Sequence, residues 1–314
     1  MHYTTLEFLL KKAKELEKKY EWLQATRYYE KATNFALKHN GLTKVAELQK
    51  KMGFCFFKAA FQAETNKQFR SRMKLAVRAY EEAVIHFEKV QEKGNIAQIN
   101  HAKAMTHYVK FWLAEAPSKM KELVADWQKF EIEALKAYED DGNLLGIGAI
   151  CTNLAEGHLG LAISTISEWS LLEKKIEEGI SYGEKAIEAL SEVGDEYELA
   201  RAYQWTSFNY AIAVWFRVLE NRREEYGQKS INYSQKALTL SEKTKDAYLI
   251  AHSNLTCGLR EWGYSLNPVS ALKFFNDALK HGKIANDILL VSMANVWIVF
   301  NNNHVLNLEE NPDK

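Results

Sequence analysis

The sequence predicts an all-α protein: an α-α superhelix, or solenoid, of about six helical hairpins and about 13 helices. Three observations predict it. A small-residue anchor returns along the chain at a nearly constant interval. Each anchor is followed by a helix stop and a fresh helix start. Only 3 prolines occur in 314 residues, and proline is excluded from long helices because it removes a backbone donor and clashes with the preceding turn.

The elements follow in order. An opening helix at about 5–19 precedes the stretch "EWLQATRYYEKATNFALKHNG" at 21–41, which holds Ala25, Tyr29 and Ala32. This A-x3-Y-x2-A spacing puts all three residues on one helix face. The alanines let a second backbone approach and the ring fills the space beside them. Ala76, Tyr80 and Ala83 repeat the pattern, as do Ala271, Phe275 and Ala278. Weaker copies hold Ala134, Ala186 and Ala237. The last small residues fall at 32, 83, 134, 186, 237 and 278, with successive intervals of 51, 51, 52, 51 and 41. A fixed period of this size marks stacked helical hairpins.

Stop signals follow each anchor: "HNG" at 39–41, "EKGN" at 92–95, "DDGN" at 140–143, "VGD" at 193–195, "TKD" at 244–246 and "AND" at 285–287. Glycine or asparagine suits a left-handed C-cap, and the Asn or Asp can cap the next helix. That next helix starts at "LTKVAEL", "IAQINHA", "LLGIGAI", "YELARAY", "YLIAHSN" and "ILLVSMA" in turn. The last interval is shorter by ten residues because "LNPVS" (266–270) joins two helices tightly. Elsewhere "QAETNKQFRSRM", "AEAPSKMKEL", "ISTISEWSLLEKK" and "RVLENRREEYGQ" read as longer polar links. Ten residues shared by two helices add about a turn and a half to each. No linker rich in Pro, Gly or Ser interrupts the array, so one domain is expected over 1–302, with a polar tail at 303–314.

The A-x3-[YF]-x2-A spacing resembles the tetratricopeptide repeat, as does "EWLQATRYYEKA" as a whole. The likeness is good at 25–32, 76–83 and 271–278. It is poor where Trp127, Glu131, Gly179, Gly183, Ser230 and Ser234 take the signature positions. The interval of about 51 departs from the 34 residues of that repeat. It looks more like long-helix relatives in vesicle-fusion attachment proteins and in bacterial and archaeal signalling regulators. The resemblance implies a right-handed superhelix with a concave groove lined by the first helices of the hairpins. It also implies protein or peptide binding without catalysis.

Composition narrows the function classes. The 41 basic and 41 acidic side chains balance, which argues against nucleic acid as the main partner, since phosphate binding wants a basic face. At 47% hydrophobic and 26% charged residues the chain reads as globular. The charged amphipathic start "MHYTTLEFLLKKAKELEKK" is no signal peptide. The most apolar window, 288–300, is too short to span a bilayer. Cys55, Cys151 and Cys257 fit no disulfide framework and sit in apolar helices, as buried free thiols do in a reducing compartment. A cytoplasmic protein is expected.

Chemistry is sparse. The nine histidines form no H-E-x-x-H pair, and no Walker loop or G-x-S-x-G is present. Gly142, Gly146 and Gly148 follow a helix and read as a cap. Asp140–Asp141 and Glu224–Glu225 sit near helix ends as solvated charge. No catalytic residues, metal or cofactor are expected. Arg70, Arg72, Lys74 and Arg78 read as a solvated face or a surface for an acidic partner.

Two binding candidates remain. Asn153, Gln204, Asn254 and Asn295 occupy matching places on four consecutive first helices, a column of amides able to bind a peptide backbone. Ala149, Gly157, Ala200 and Gly258 lie four residues away on the same faces, where small residues mark tight helix contact and favour amides buried between helices. Trp112, Trp205, Trp215, Trp262 and Trp297 also fall on first helices, as core or as partner anchors. In the last helix, residues 288–300 are apolar around most of the circumference, and such a helix needs cover on both sides. Val296, Trp297 and Phe300 are therefore candidate interface residues, covered by the returning tail, by a second copy in a homodimer, or by another protein. The expected function is a non-enzymatic protein- or peptide-binding adaptor or scaffold that uses the concave face of the superhelix, which the amide column would line. The alternative is a sensor or regulator whose superhelix responds to a peptide or small-molecule ligand.

Overall fold

A computed structural model describes residues 5–39, 41–90, 93–164, 169–217 and 220–310. Among these the protein is all-α, with thirteen α-helices and no strand. The helices are α1 Leu6–Glu17, α2 Trp22–Lys38, α3 Leu42–Ala60, α4 Asn66–Val90, α5 Ile96–Phe111, α6 Pro117–Asp140, α7 Leu144–Ser164, α8 Trp169–Val193, α9 Glu196–Trp215, α10 Arg223–Thr244, α11 Ala247–Gly263, α12 Pro268–Ile284 and α13 Ile288–Glu310. Where a single array is expected, the chain gathers into two compact units, 1–142 and 143–314. The division falls at the "DDGN" stop, where Gly142 turns the chain at φ +64.

The stops and starts work as the sequence reading expects at most junctions. Gly194, Lys245 and Asn286 also take left-handed conformations, a geometry in which lysine is strained and glycine is not. Asn143, Asp195, Asp246 and Asp287 each accept a backbone N–H of the following first turn, at 2.9 to 3.1 Å. Asn267 does the same for α12, accepting from Ser270 at 3.0 Å. Of the "HNG" stop, Asn40 lies outside the described residues.

The long polar links are largely absorbed into helix. α4 starts at Asn66, α6 at Pro117, α8 at Trp169 and α10 at Arg223. Pro117 sits at the first helical position, where its missing donor costs nothing, and residues 165–168 and 218–219 of these links lie outside the described residues. The shortened last interval appears as two helices of 17 residues each, α11 and α12. α13 runs on through Glu310, so residues 303–310 are helix and the boundary expected at 302 falls inside it.

In unit 1, consecutive helices from α1 to α6 pack pairwise. Its core joins Leu9, Trp22, Tyr29, Val45 and Leu48 in one cluster, and Phe61, Met73, Tyr80 and Val109 in another. In unit 2, consecutive helices from α7 to α13 pack pairwise, and the first helices α7, α9, α11 and α13 also touch in succession. Tyr210, Leu255, Phe275 and Leu290 share one core there.

At all six anchors the three signature positions are buried, including the divergent ones. The middle position trades volume with its neighbour. Tyr80 on α4 lies over Gly53 on α3, and Phe275 on α12 lies over Gly258 on α11; a Cβ on these glycines would come within 2.9 and 2.4 Å of the rings. At Gly183 on α8 the exchange is reversed and Thr206 of α9 fills the space. Glu131 on α6 is fully buried and faces His101 of α5 at 3.1 Å.

Candidate functional site

The amide column is not one exposed line. Asn153 on α7 is half-buried and accepts from Arg201 Nη2 on α9 at 3.1 Å. Arg201 also holds Glu198 at 2.8 Å and Glu156 at 3.8 Å. Gln204 is buried at 2% exposure. Asn254 is buried and donates to its own helix, at Ile250 O, 2.9 Å away. Asn295 alone is exposed, on α13. Small residues bring the neighbouring helices in: Gly258 meets the Phe275 ring one turn from Asn254.

Asn209, which periodicity does not single out, carries the inter-helix bond. It is fully buried on α9 and donates to Ala155 O of α7 at 3.0 Å and to Trp205 O at 2.9 Å. Gly179 on α8 leaves room for its Oδ1. A glycine at a signature position was the signal available for it.

The basic run on α4 caps neighbouring helices. Arg72 Nη1 donates to Ala59 O at 2.6 Å, in the last turn of α3. Arg70 lies 3.5 Å from Leu113 O just beyond α5 and 3.2 Å from Glu115. Guanidinium groups are favourable at these carbonyl-rich ends. Arg78 pairs with Glu82 at 2.7 Å on its own helix.

Two polar networks tie helices together. In unit 1, Lys50 of α3 bonds Gln98 of α5, which donates to Tyr138 OH of α6 at 2.7 Å. Burial pushes the Lys50 ammonium down to about 8, and burial with Glu131 behind it pushes the Tyr138 phenol up to about 12. In unit 2, Glu184 of α8 accepts from Tyr210 OH at 2.6 Å and Tyr233 OH at 2.8 Å. Burial, then the Glu184 carboxylate, raises both phenols. Cys55, Cys151 and Cys257 are buried thiols in no disulfide. Burial raises the Cys257 thiol to about 11 and the Cys55 thiol further still, which removes the thiolate that reactivity needs. No group of three or more metal-ligating side chains occurs among the described residues.

The remaining surface is α13, which packs on α12 and α11. Its inner side carries Leu290, Ala294 and Asn301, all buried, with Asn301 Nδ2 donating to Pro268 O at 3.0 Å. Trp297 is partly buried among Trp215 at 5.3 Å, Phe275 at 5.9 Å and Trp262 at 6.0 Å between ring centroids. Phe300 meets Trp262 at 5.2 Å and is still 48% exposed. Val296 and Val299 are 65% and 59% exposed, and Ile288 and Leu289 are also open. Next to Pro268, Leu266 and Val269 are exposed as well. Of the three expected interface residues, Trp297 is thus an internal anchor, while Val296 and Phe300 face outward. Residues 288–308 contain no Asp, Glu, Lys or Arg.

No protein-family model and no curated protein matches the chain. One solved structure that aligns with it is described as a circular tandem repeat protein with novel repeat topology and enhanced subunit contact surfaces. It is 10% identical, at a TM-score of 0.33, over 97% of this chain and 83% of the other. No helix among the described residues is long and apolar enough to cross a membrane.

Proposed function

We propose that this chain is a non-enzymatic, tetratricopeptide-like scaffold that binds protein or peptide partners, working in the cytoplasm. One observation carries the reading: the outer face of α13 exposes Val296, Val299 and Phe300, bears no charged side chain from 288 to 308, and is backed by the tryptophan cluster of α9, α11 and α13. A rigid aromatic base beneath an apolar face is how binding hot spots are built. Large apolar side chains exposed together in this way mark an interaction site. The buried polar networks support the reading from the other side, because their side chains are occupied in joining helices. The three buried thiols fit a reducing compartment.

The test is capture from native cytoplasm by the purified wild type and by a Val296→Glu/Phe300→Asp variant of unchanged circular dichroism. Proteins retained by the first and lost from the second support the proposal. An identical retained set on both overturns it.

A further inference from the structure

The exposed side of α13 has a regular layout. Leu289, Val296 and Asn303 are seven residues apart, and so are Ser292 and Val299; all five are exposed. They follow the a and d spacing of a heptad, apolar at Leu289, Val296 and Val299 and polar at Ser292 and Asn303. The opposite seam, through Leu290, Ala294, Trp297 and Asn301, is the one turned toward α11 and α12. α13 therefore carries two helix-packing seams, and one is open among the described residues.

We infer that the open seam pairs with its own counterpart in a second copy of the chain, α13 against α13 about a two-fold axis. This rests on the docking reading above and names its partner. Across a two-fold axis one patch meets its own copy, so a face bearing net charge repels itself, whereas an uncharged one does not. No charged residue occurs from 288 to 308. With the two helices parallel, Leu289, Val296 and Val299 each meet their own apolar counterpart. Asn295 and Asn303 meet amides, and an amide both donates and accepts. A β-branched residue at a favours two strands, and a polar asparagine at a fixes register and oligomer state. A distinct charged partner would find nothing here to select it. The chain's own residues 303–310 do not fold back over the seam, because they continue the helix.

Val296 lies near the middle of the exposed stretch and so near the axis in either helix orientation. The experiment is sedimentation equilibrium from low to high micromolar on wild type, Val296→Glu and Val296→Lys, with Ile85→Glu as a control. Ile85 is an exposed apolar residue of α4, in the other unit. The wild type and Ile85→Glu should be dimers. Each Val296 variant alone should weaken the dimer by about a hundredfold, roughly 2.7 kcal/mol, with an unchanged circular dichroism spectrum. Mixing Val296→Glu with Val296→Lys should restore a heterodimer. A monomeric wild type at high micromolar overturns self-pairing. So does a Val296→Glu protein that dimerises like wild type, or a mixture that stays monomeric when both single variants are folded. A monomeric wild type that captures proteins which the Val296→Glu/Phe300→Asp variant loses overturns self-pairing alone and leaves the docking reading standing.

Discussion

Gly183 on α8 sits against Thr206 on α9 so closely that a Cβ on the glycine would lie 2.3 Å from Thr206 Oγ1. That hydroxyl is already committed, donating to Ala202 O at 2.6 Å. In an isolated helix, glycine to alanine stabilises by about 1 kcal/mol. Here Gly183→Ala should instead destabilise by roughly 1–3 kcal/mol through overpacking. Adding Thr206→Ala should recover much of the loss, since both groups contend for one space. Urea denaturation of the two single variants and the double variant measures this. A more stable Gly183→Ala single variant would show that the contact is loose.

The same contact shows what the residues reveal by themselves. Helix register was legible from the alanine anchors, and it holds even where Glu131, Gly183 and Ser234 replace the expected ring. Periodicity reports which side of a helix is buried, whatever side chain stands there. It does not report what lies opposite. That Gly53 receives Tyr80, or that Glu131 meets His101, depends on residues about thirty positions apart. The cap positions were legible because Asp195 and Asp246 act on their own next turn. Arg72 was not, because its acceptor belongs to another helix. Three of the four amides in the column proved recessed, since the small residues that align them also bring the helices together.

Asn209 links α9 to α7 through Ala155 O while fully buried. Asn209→Ala removes the side-chain bond that joins α9 to α7 and leaves a small void. A loss of about 2–3 kcal/mol is expected. Asn295→Ala, on the exposed side of α13, should change thermal stability by less than about 0.5 kcal/mol. Calorimetry on the two variants checks the contrast. Equal melting points would remove Asn209 from any structural role.

Arg72 holds a carbonyl in the last turn of α3. Arg72→Met keeps much of the aliphatic stem and removes the charge-assisted bond, so roughly 1–2 kcal/mol should be lost. Arg78→Met, whose partner is a surface glutamate on the same helix, should lose less than about 0.5 kcal/mol. Chemical denaturation curves distinguish the pair. If the two variants unfold together, Arg72 is merely a solvated cation.

His158 makes stability depend on acid. Its side chain is fully buried on α7, 3.2 Å from Glu178, and burial outweighs the carboxylate, lowering the imidazole to about 4. An unfolded histidine titrates near 6.5. Between these values the unfolded chain binds a proton that the folded chain refuses, so folding weakens as pH falls. The contribution is fully present above about pH 6.5. It shrinks by about 3 kcal/mol as pH approaches 4, at 1.36 kcal/mol for each pH unit. His107 and His281 are lowered in the same direction, chiefly by burial, and steepen the same limb. In His158→Gln, which carries no titrating group at this position, stability should fall distinctly less between pH 6.5 and 4, whatever its level at pH 7. Urea midpoints across that range measure the slope. A variant whose acid limb parallels the wild type would place the titrating group elsewhere.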